Sequence, residues 1–216
     1  MISKNFKHRV YTSLFLFLLI FLIFVSKMIL VFSLITLGIL SILEFSNILT
    51  KITKNKFYFF CLNSFFIIFI FLFCFYFLSL SMIFQFKLTL FILLFGCIAS
   101  DIGGYVFGKT IKGPKLTKIS PKKTISGAFG SIIFCIIIIS FLFFYFTGLF
   151  SFKILFSGLV TSISCQLGDL FFSFLKRKVK IKDTGNFFPG HGGVLDRLDG
   201  IFVGLPIGYI TLILTI

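Results

Sequence analysis

Seven long apolar runs decide most of what this chain can fold into. They cover residues 11–26, 28–50, 57–82, 86–108, 125–146, 150–175 and 200–216. A helix of about 20 apolar residues crosses a hydrocarbon core of ~30 Å, and each run approaches or exceeds that length. Inside a bilayer the backbone must satisfy its own hydrogen bonds, which a helix does. The expected fold is therefore all-α, a polytopic integral membrane protein of about seven transmembrane helices. One helix over 11–50 would be roughly 60 Å long, too long for one crossing. The first two runs are therefore expected to form a tilted hairpin turned at Lys27. Lys4, Lys7 and Arg9 precede the first run and no small-residue cleavage site follows it, so it reads as a retained anchor rather than a signal peptide.

Composition narrows the function classes. Of the 216 residues 58% are hydrophobic and 37 are phenylalanine. The charged share of 12% is about half that of a soluble domain. A soluble globule of this size has too much surface to hide so much apolar area. A soluble enzyme, a disordered chain and a secreted disulfide scaffold are excluded. Cys61, Cys74, Cys97, Cys135 and Cys165 lie in apolar runs without paired or metal-type spacing, and read as small hydrophobes.

The net charge of +15 comes from 21 basic and 6 acidic residues. Nucleic acid is not an expected partner, because no soluble basic domain exists to carry it. The N-terminal tail and loops 51–56, 109–124 and 176–199 hold 3, 3, 6 and 6 basic residues, against Lys27, Lys87 and Lys153 in the alternate loops. By the positive-inside rule the tail and the two large loops are cytoplasmic. No internal repeat or linker is evident. The chain reads as one membrane domain over 1–216, with N-terminal spans at 1–99, a catalytic core at 100–200 and a last span at 200–216.

Acids inside the spans are functional candidates, because a lone carboxylate in lipid is costly. Asp101 and Asp169 each lie about seven residues before a cytoplasmic helix end, roughly 10 Å deep at 1.5 Å per residue. Matched depth suggests one polar cavity open to the cytoplasm. Ser162, Gln166, Asp169 and Ser173 share one helical face, which Lys176 and Arg177 continue. Asp101, Gly104, Tyr105 and Gly108 line a second face. A hydrogen-bonded network that only holds helices together is the plainer alternative. Asp196 and Asp199, three apart, are neighbours if the last segment begins there as a helix. They then either cap that helix or, beside His191, Gly192 and Gly193, offer carboxylate oxygens to Mg²⁺.

The two large loops suit an anionic client. Lys176, Arg177, Lys178, Lys180, Lys182 and Arg197 share one loop with Gly185, Gly190, Gly192 and Gly193. Glycines let backbone N–H groups approach phosphate. In the other loop, Ser120-Pro121 sets a turn, and Lys118, Lys122, Lys123 and Thr124 stand ready for phosphate at a helix N-terminus. Gly103 to Thr110 matches G-x-x-x-x-G-K-[ST], but a true P-loop needs a preceding strand and an α/β domain. That match is read as a decoy. Gly204 and Gly208 are read as helix-packing residues.

These residues resemble the phosphatidate cytidylyltransferase (CDP-diacylglycerol synthase) family. The run Ser173-x-Leu175-Lys176-Arg177, Lys182-Asp183, then Phe188-Pro189-x-His191-Gly192-Gly193-Val194-x-Asp196-Arg197-Leu198-Asp199 matches its signature across 27 positions. Asp101-x-x-Gly104-Tyr105-x-x-Gly108-Lys109, Ser120-Pro121-x-Lys123-Thr124 and Gln166-x-Gly168-Asp169-Leu170 resemble further family motifs. Glu44-Phe45 resembles a weaker one. The resemblance covers about 100–200 well and 1–99 mainly by hydropathy. Ser126 stands where the family commonly has Glu, and the chain is short for the family.

The resemblance implies transfer of the CMP moiety of CTP to phosphatidic acid, giving CDP-diacylglycerol and pyrophosphate, with Mg²⁺. It implies Asp169, Asp196 and Asp199 as metal ligands, with Asp101 as a further acid and a second metal or a monovalent cation left open. Two ions would stand ~3.5–4 Å apart. Lys176, Arg177, Lys182 and Arg197 would bind phosphates, with Ser120, Lys123 and Thr124 meeting the triphosphate or lipid phosphate. Ser173, Asp183, His191, Gly192 and Gly193 complete the expected substrate contacts. Membrane lipid and, as an option, a second copy of the chain are the expected partners, at the bacterial inner membrane. The alternatives are a CTP-dependent polyprenol or lipid kinase, and a cation-coupled transporter, although the broken helices and repeat symmetry of the latter are not evident.

Overall fold

The computed structural model describes residues 4–117, 120, 123–185, 187 and 192–215. It is helical almost throughout: α1 Lys4–Val25, α2 Lys27–Ile52, α3 Lys56–Ser81, α4 Phe84–Thr110, α5 Ile125–Thr147, α6 Phe152–Lys178, α7 Leu195–Leu198 and α8 Ile201–Thr215. Among the described residues the extended pairing is one isolated bridge, Lys115 with Thr124. Six segments are long and apolar enough to cross a membrane: α2 to α6, and Leu195–Leu214. The chain is thus the expected all-α polytopic membrane protein, with one difference at its start. The apolar part of α1, Tyr11–Val25, is short of a full crossing.

The expected turn at Lys27 is also different in kind. Ser26 is a single extended residue, its N–H bonded to Leu22 O and its carbonyl accepting from Leu30 N. Helical hydrogen bonding flanks it on both sides. The joint is therefore a corner at one residue, shorter than the two to eight residues that connect packed helices.

The chain divides into two compact units, residues 1–79 with 175–198, and residues 80–174 with 199–216. In the first, α3 buries Phe66, Ile70, Phe73 and Phe77, one stripe at helical spacing. Phe66 stacks on Phe45 of α2 at 3.9 Å between ring centroids, and Ser46 donates to Asn63 Oδ1 at 2.7 Å. The opposite stripe, including Phe57, Phe60, Phe71 and Phe75, is exposed, as a lipid-facing side is.

In the second unit, small residues let helix backbones touch. A Cβ on Gly103 would stand 2.5 Å from Gly130 O, and one on Gly127 would stand 2.8 Å from Gly104 O. Thus α4 and α5 pack backbone to backbone. The G-x-x-x-x-G-K-T run lies inside α4, where Gly103, Gly104 and Gly108 serve this contact. It is not a phosphate loop. A Cβ on Gly204 would stand 3.0 Å from Cys165 Cβ of α6, and Gly208 abuts Thr161, the packing role expected of both.

Candidate functional site

Within the second unit, the polar face of α6 is built as expected. Ser162 shares a hydrogen bond with Ser100 of α4 at 2.9 Å. Gln166 Nε2 donates to Ala128 O of α5 and to Ser162 Oγ, both at 3.3 Å. Lys123 Nζ is ion-paired with Asp169 Oδ2, and Ser173 Oγ donates to Asp169 Oδ1 at 3.3 Å. Three expected residues, Lys123, Asp169 and Ser173, therefore meet. Their setting is half open: the side chains of Lys123 and Asp169 are 27% and 29% exposed.

The loop that delivers Lys123 is a narrow hairpin. Leu116 N donates to Lys123 O at 2.8 Å, Ile125 N to Pro114 O at 3.0 Å, and Lys123 N to Ser120 O at 3.0 Å. Thr124 caps α5, its hydroxyl accepting from Gly127 N at 3.1 Å. That is ordinary capping, so the Thr124 hydroxyl already has a structural duty. Ser126 Oγ lies 3.0 Å from Thr124 Oγ1 and donates to Lys112 O.

Asp199 is buried in the turn after α7 and accepts from Gly200 N at 2.9 Å. A Cβ on Gly168 would stand 2.6 Å from Asp199 O, so α6 meets the Asp199 turn one residue from Asp169. Asp101 is exposed on α4. The expected continuous helix through Asp196 and Asp199 is absent, because α7 is a single turn that ends at Leu198.

Within the first unit, Lys176 and Asp196 form a second ion pair. Lys176 Nζ stands 2.7 Å from Asp196 Oδ1, and the side chains are 10% and 6% exposed. Asp196 Oδ2 accepts from Thr184 N at 2.7 Å and Gly193 N at 3.0 Å, and Thr184 Oγ1 lies 3.1 Å away. Since the single Thr184 hydroxyl proton goes to the nearer Glu44 oxygen at 2.5 Å, three donors, Lys176 Nζ, Thr184 N and Gly193 N, hold this carboxylate. Gly192 has φ +85, and a Cβ there would stand 2.8 Å from Asp196 Oδ2 and 3.4 Å from Asp183 Cβ. Both reasons favour glycine. The Gly193 N–H, expected to face phosphate, is directed at Asp196. Arg177 is exposed and donates to Ile181 O at 3.1 Å, and Lys182, Asp183 and Arg197 are also exposed. Lys118, Pro121, Lys122 and Phe188 to His191 lie outside the described residues.

The sequence reading gave Glu44 no role. It is the one acid in the first 100 residues, and the rule that singles out acids in spans applies to it equally. It is buried, and accepts from Thr184 Oγ1 at 2.5 Å and from Val194 N and Leu195 N, each at 2.9 Å.

Comparison with known proteins agrees with these motifs. The model of the cytidylyltransferase family matches residues 1–215. The chain belongs to the cytidylyltransferase family. A phosphatidate cytidylyltransferase of Rickettsia bellii (strain RML369-C) is 43% identical over 126 residues, 54% of this chain and 54% of the relative. One of Helicobacter pylori (strain J99) is 42% identical over 113 residues, 52% of this chain and 42% of the relative. One of Staphylococcus haemolyticus is 36% identical over 170 residues, 76% of this chain and 64% of the relative. The chain spans about half the length of the curated cytidylyltransferases it matches first.

Metal-binding capacity divides unevenly over this family member's acids. Among the described residues no group of three or more His, Cys, Asp or Glu side chains is gathered to hold an ion. Mg²⁺ does not demand one, since one or two carboxylates commonly suffice beside substrate phosphates and water. The Asp199 backbone lies against Gly168, one residue from Asp169, and both residues carry the hard carboxylate oxygens that Mg²⁺ takes.

Proposed function

We propose that this protein transfers the CMP moiety of CTP to phosphatidic acid, releasing pyrophosphate, in an inner bacterial membrane with its basic loops on the cytoplasmic side. The observation that carries the reading is Asp169, on the polar face of α6 within a segment long and apolar enough to cross a membrane, held by Ser173 of the same helix and by Lys123 from the loop before α5. Charged groups in a span need a reason. The relatives' names, phosphatidate cytidylyltransferase, supply the reaction that fits them.

In that reaction a phosphate oxygen of the lipid attacks the α-phosphorus of CTP. The bond from the α-phosphorus to the bridging oxygen breaks, and pyrophosphate leaves with the electron pair. The nucleophile is already an oxyanion, so no strong base is needed. The obstacle is repulsion between anions, which positioning and fixed positive charge overcome. Lys123 would turn its ammonium from Asp169 to phosphate. Arg177, Lys182 and Arg197 are exposed and would bind phosphate, while Lys176 holds Asp196. Asp169 and Asp199 would hold Mg²⁺, which when bound neutralises phosphate charge. Ser120, Thr124 and Ser173 shape the lysine's surroundings.

The test is product analysis of the detergent-purified protein with phosphatidic acid, Mg²⁺ and CTP labelled at the α- or γ-phosphate. Movement of α-label into lipid with pyrophosphate release is expected. Movement of γ-label into a polyprenol would mark a kinase and refute the proposal. Asp199→Asn should abolish turnover in a folded protein, and full activity would overturn its metal role.

A further inference from the structure

Glu44 of α2 joins both ends of the basic loop. Thr184, on one side, donates its hydroxyl to Glu44 Oε2. On the other side, Val194 N donates to Oε1 and Leu195 N to Oε2. At Gly185 and Gly193 the backbone comes close to this carboxylate. A Cβ on Gly185 would stand 2.7 Å from Glu44 Oε1, and one on Gly193 would run into Glu44 Oε2 and the Thr184 hydroxyl. Two glycines thus make room for one buried acid. Thr184 continues the connection, since the same hydroxyl and its own N–H also meet Asp196 Oδ2, and Asp196 holds Lys176.

We propose that Glu44 is a positioning residue for nucleotide binding, acting through Thr184 and the Gly193–Leu195 backbone to set Asp196 and Lys176. This rests on the cytidylyltransferase reading for its kinetic consequence only. A carboxylate accepts at both oxygens and donates at neither. Three donors from two sequence-distant segments therefore converge on a group suited to take them all. Glutamine in its place has the same shape but one accepting oxygen. In either orientation its amide nitrogen would face at least one backbone N–H, that of Val194 or of Leu195, which it cannot accept.

The test combines kinetics with proteolysis of the full chain in detergent. In Glu44→Gln, kcat/KM for CTP should fall roughly 10- to 100-fold, the range for loss of a supporting hydrogen-bond partner. The CTP KM should rise while the phosphatidic acid KM stays unchanged. Trypsin should cut faster after Lys178, Lys180 and Lys182, because the loop has lost its hold. Thr184→Val should behave like Glu44→Gln, and Thr184→Ser should restore activity because it keeps the hydroxyl. The two losses should add less than fully when combined, since both loosen the same attachment of the loop to Glu44. A wild-type CTP KM and trypsin rate in Glu44→Gln would overturn the proposal, and so would a fall in kcat alone with the trypsin pattern unmoved. Should Glu44→Gln fail to fold, the Thr184→Val and Thr184→Ser pair decides it by the same readouts. If the wild-type protein transfers no CMP, the function reading fails, and the trypsin comparison still decides whether Glu44 holds the loop.

Discussion

The two lysine–carboxylate pairs look alike in sequence and differ in structure. Lys123–Asp169 is more than a quarter exposed on both sides, and among the described residues Ser173, at 3.3 Å, also donates to its carboxylate. Lys176–Asp196 is nearly enclosed, and its carboxylate also accepts from the Thr184 and Gly193 backbone N–H groups. A partly exposed pair can exchange partners, as the proposed phosphate site must. An enclosed pair with backbone donors on its carboxylate holds a loop in shape. The same two residue types thus do different work because burial and donor count differ.

The strongest way to break this contrast is Lys176→Met. Removing one partner of an enclosed pair strands the other, at a cost of about 3–5 kcal/mol. The variant should unfold well below the wild type in a detergent melting experiment, and activity should fall with it. A melting temperature close to wild type would show that Asp196 is not held as the geometry indicates. Asp169→Asn should show the reverse balance. CMP transfer should drop roughly 100- to 1000-fold, the size of losing one electrostatic contact to reacting groups. Stability should move by only ~0–1 kcal/mol, because a partly exposed pair contributes little. A large stability loss with near-normal turnover would make Asp169 a structural acid.

How much of this could be read beforehand depends on range along the chain. The spans were legible because apolar length and helical period are local properties. So was the α6 face, since Ser162, Gln166, Asp169 and Ser173 repeat within four turns, and the structure joins them to Ser100, Ala128 and Lys123. The signature from Ser173 to Asp199 was legible as a pattern, but its division of labour was not. That division depends on Glu44, about 140 residues earlier, and no periodicity reports such a pairing. The short α7 was hidden for a related reason. Nothing local shows that Gly200 closes against Cys165, where a Cβ would stand 2.6 Å from the sulfur.

A smaller effect sharpens the role of that turn. Gly168→Ala would place a methyl 2.6 Å from Asp199 O, and relieving such overpacking costs about 1–3 kcal/mol. The turn should shift, lowering CMP transfer and Mg²⁺ affinity together while the melting temperature falls modestly. Unchanged Mg²⁺ dependence at reduced stability would separate the packing contact from the metal role assigned to Asp199.

The smallest expected effect concerns the open pair's own loop. Ser126 donates to Lys112 O and stands by the Thr124 cap, so it ties the hairpin carrying Lys123 to the start of α5. Its hydroxyl makes a local tie without adding charge near Lys123. Ser126→Ala removes that tie but leaves the Thr124 cap and the hairpin's backbone bonds intact. The cost should be about 0.5–1.5 kcal/mol, the net value of an ordinary hydrogen bond, read as a small drop in melting temperature. Turnover should stay near wild type, because Leu116, Pro114 and Ser120 still hold the Lys123–Ile125 backbone. A loss of turnover comparable to that of Asp169→Asn would mean that the open pair depends on a fixed loop after all. The contrast with the enclosed pair would then lie in burial alone.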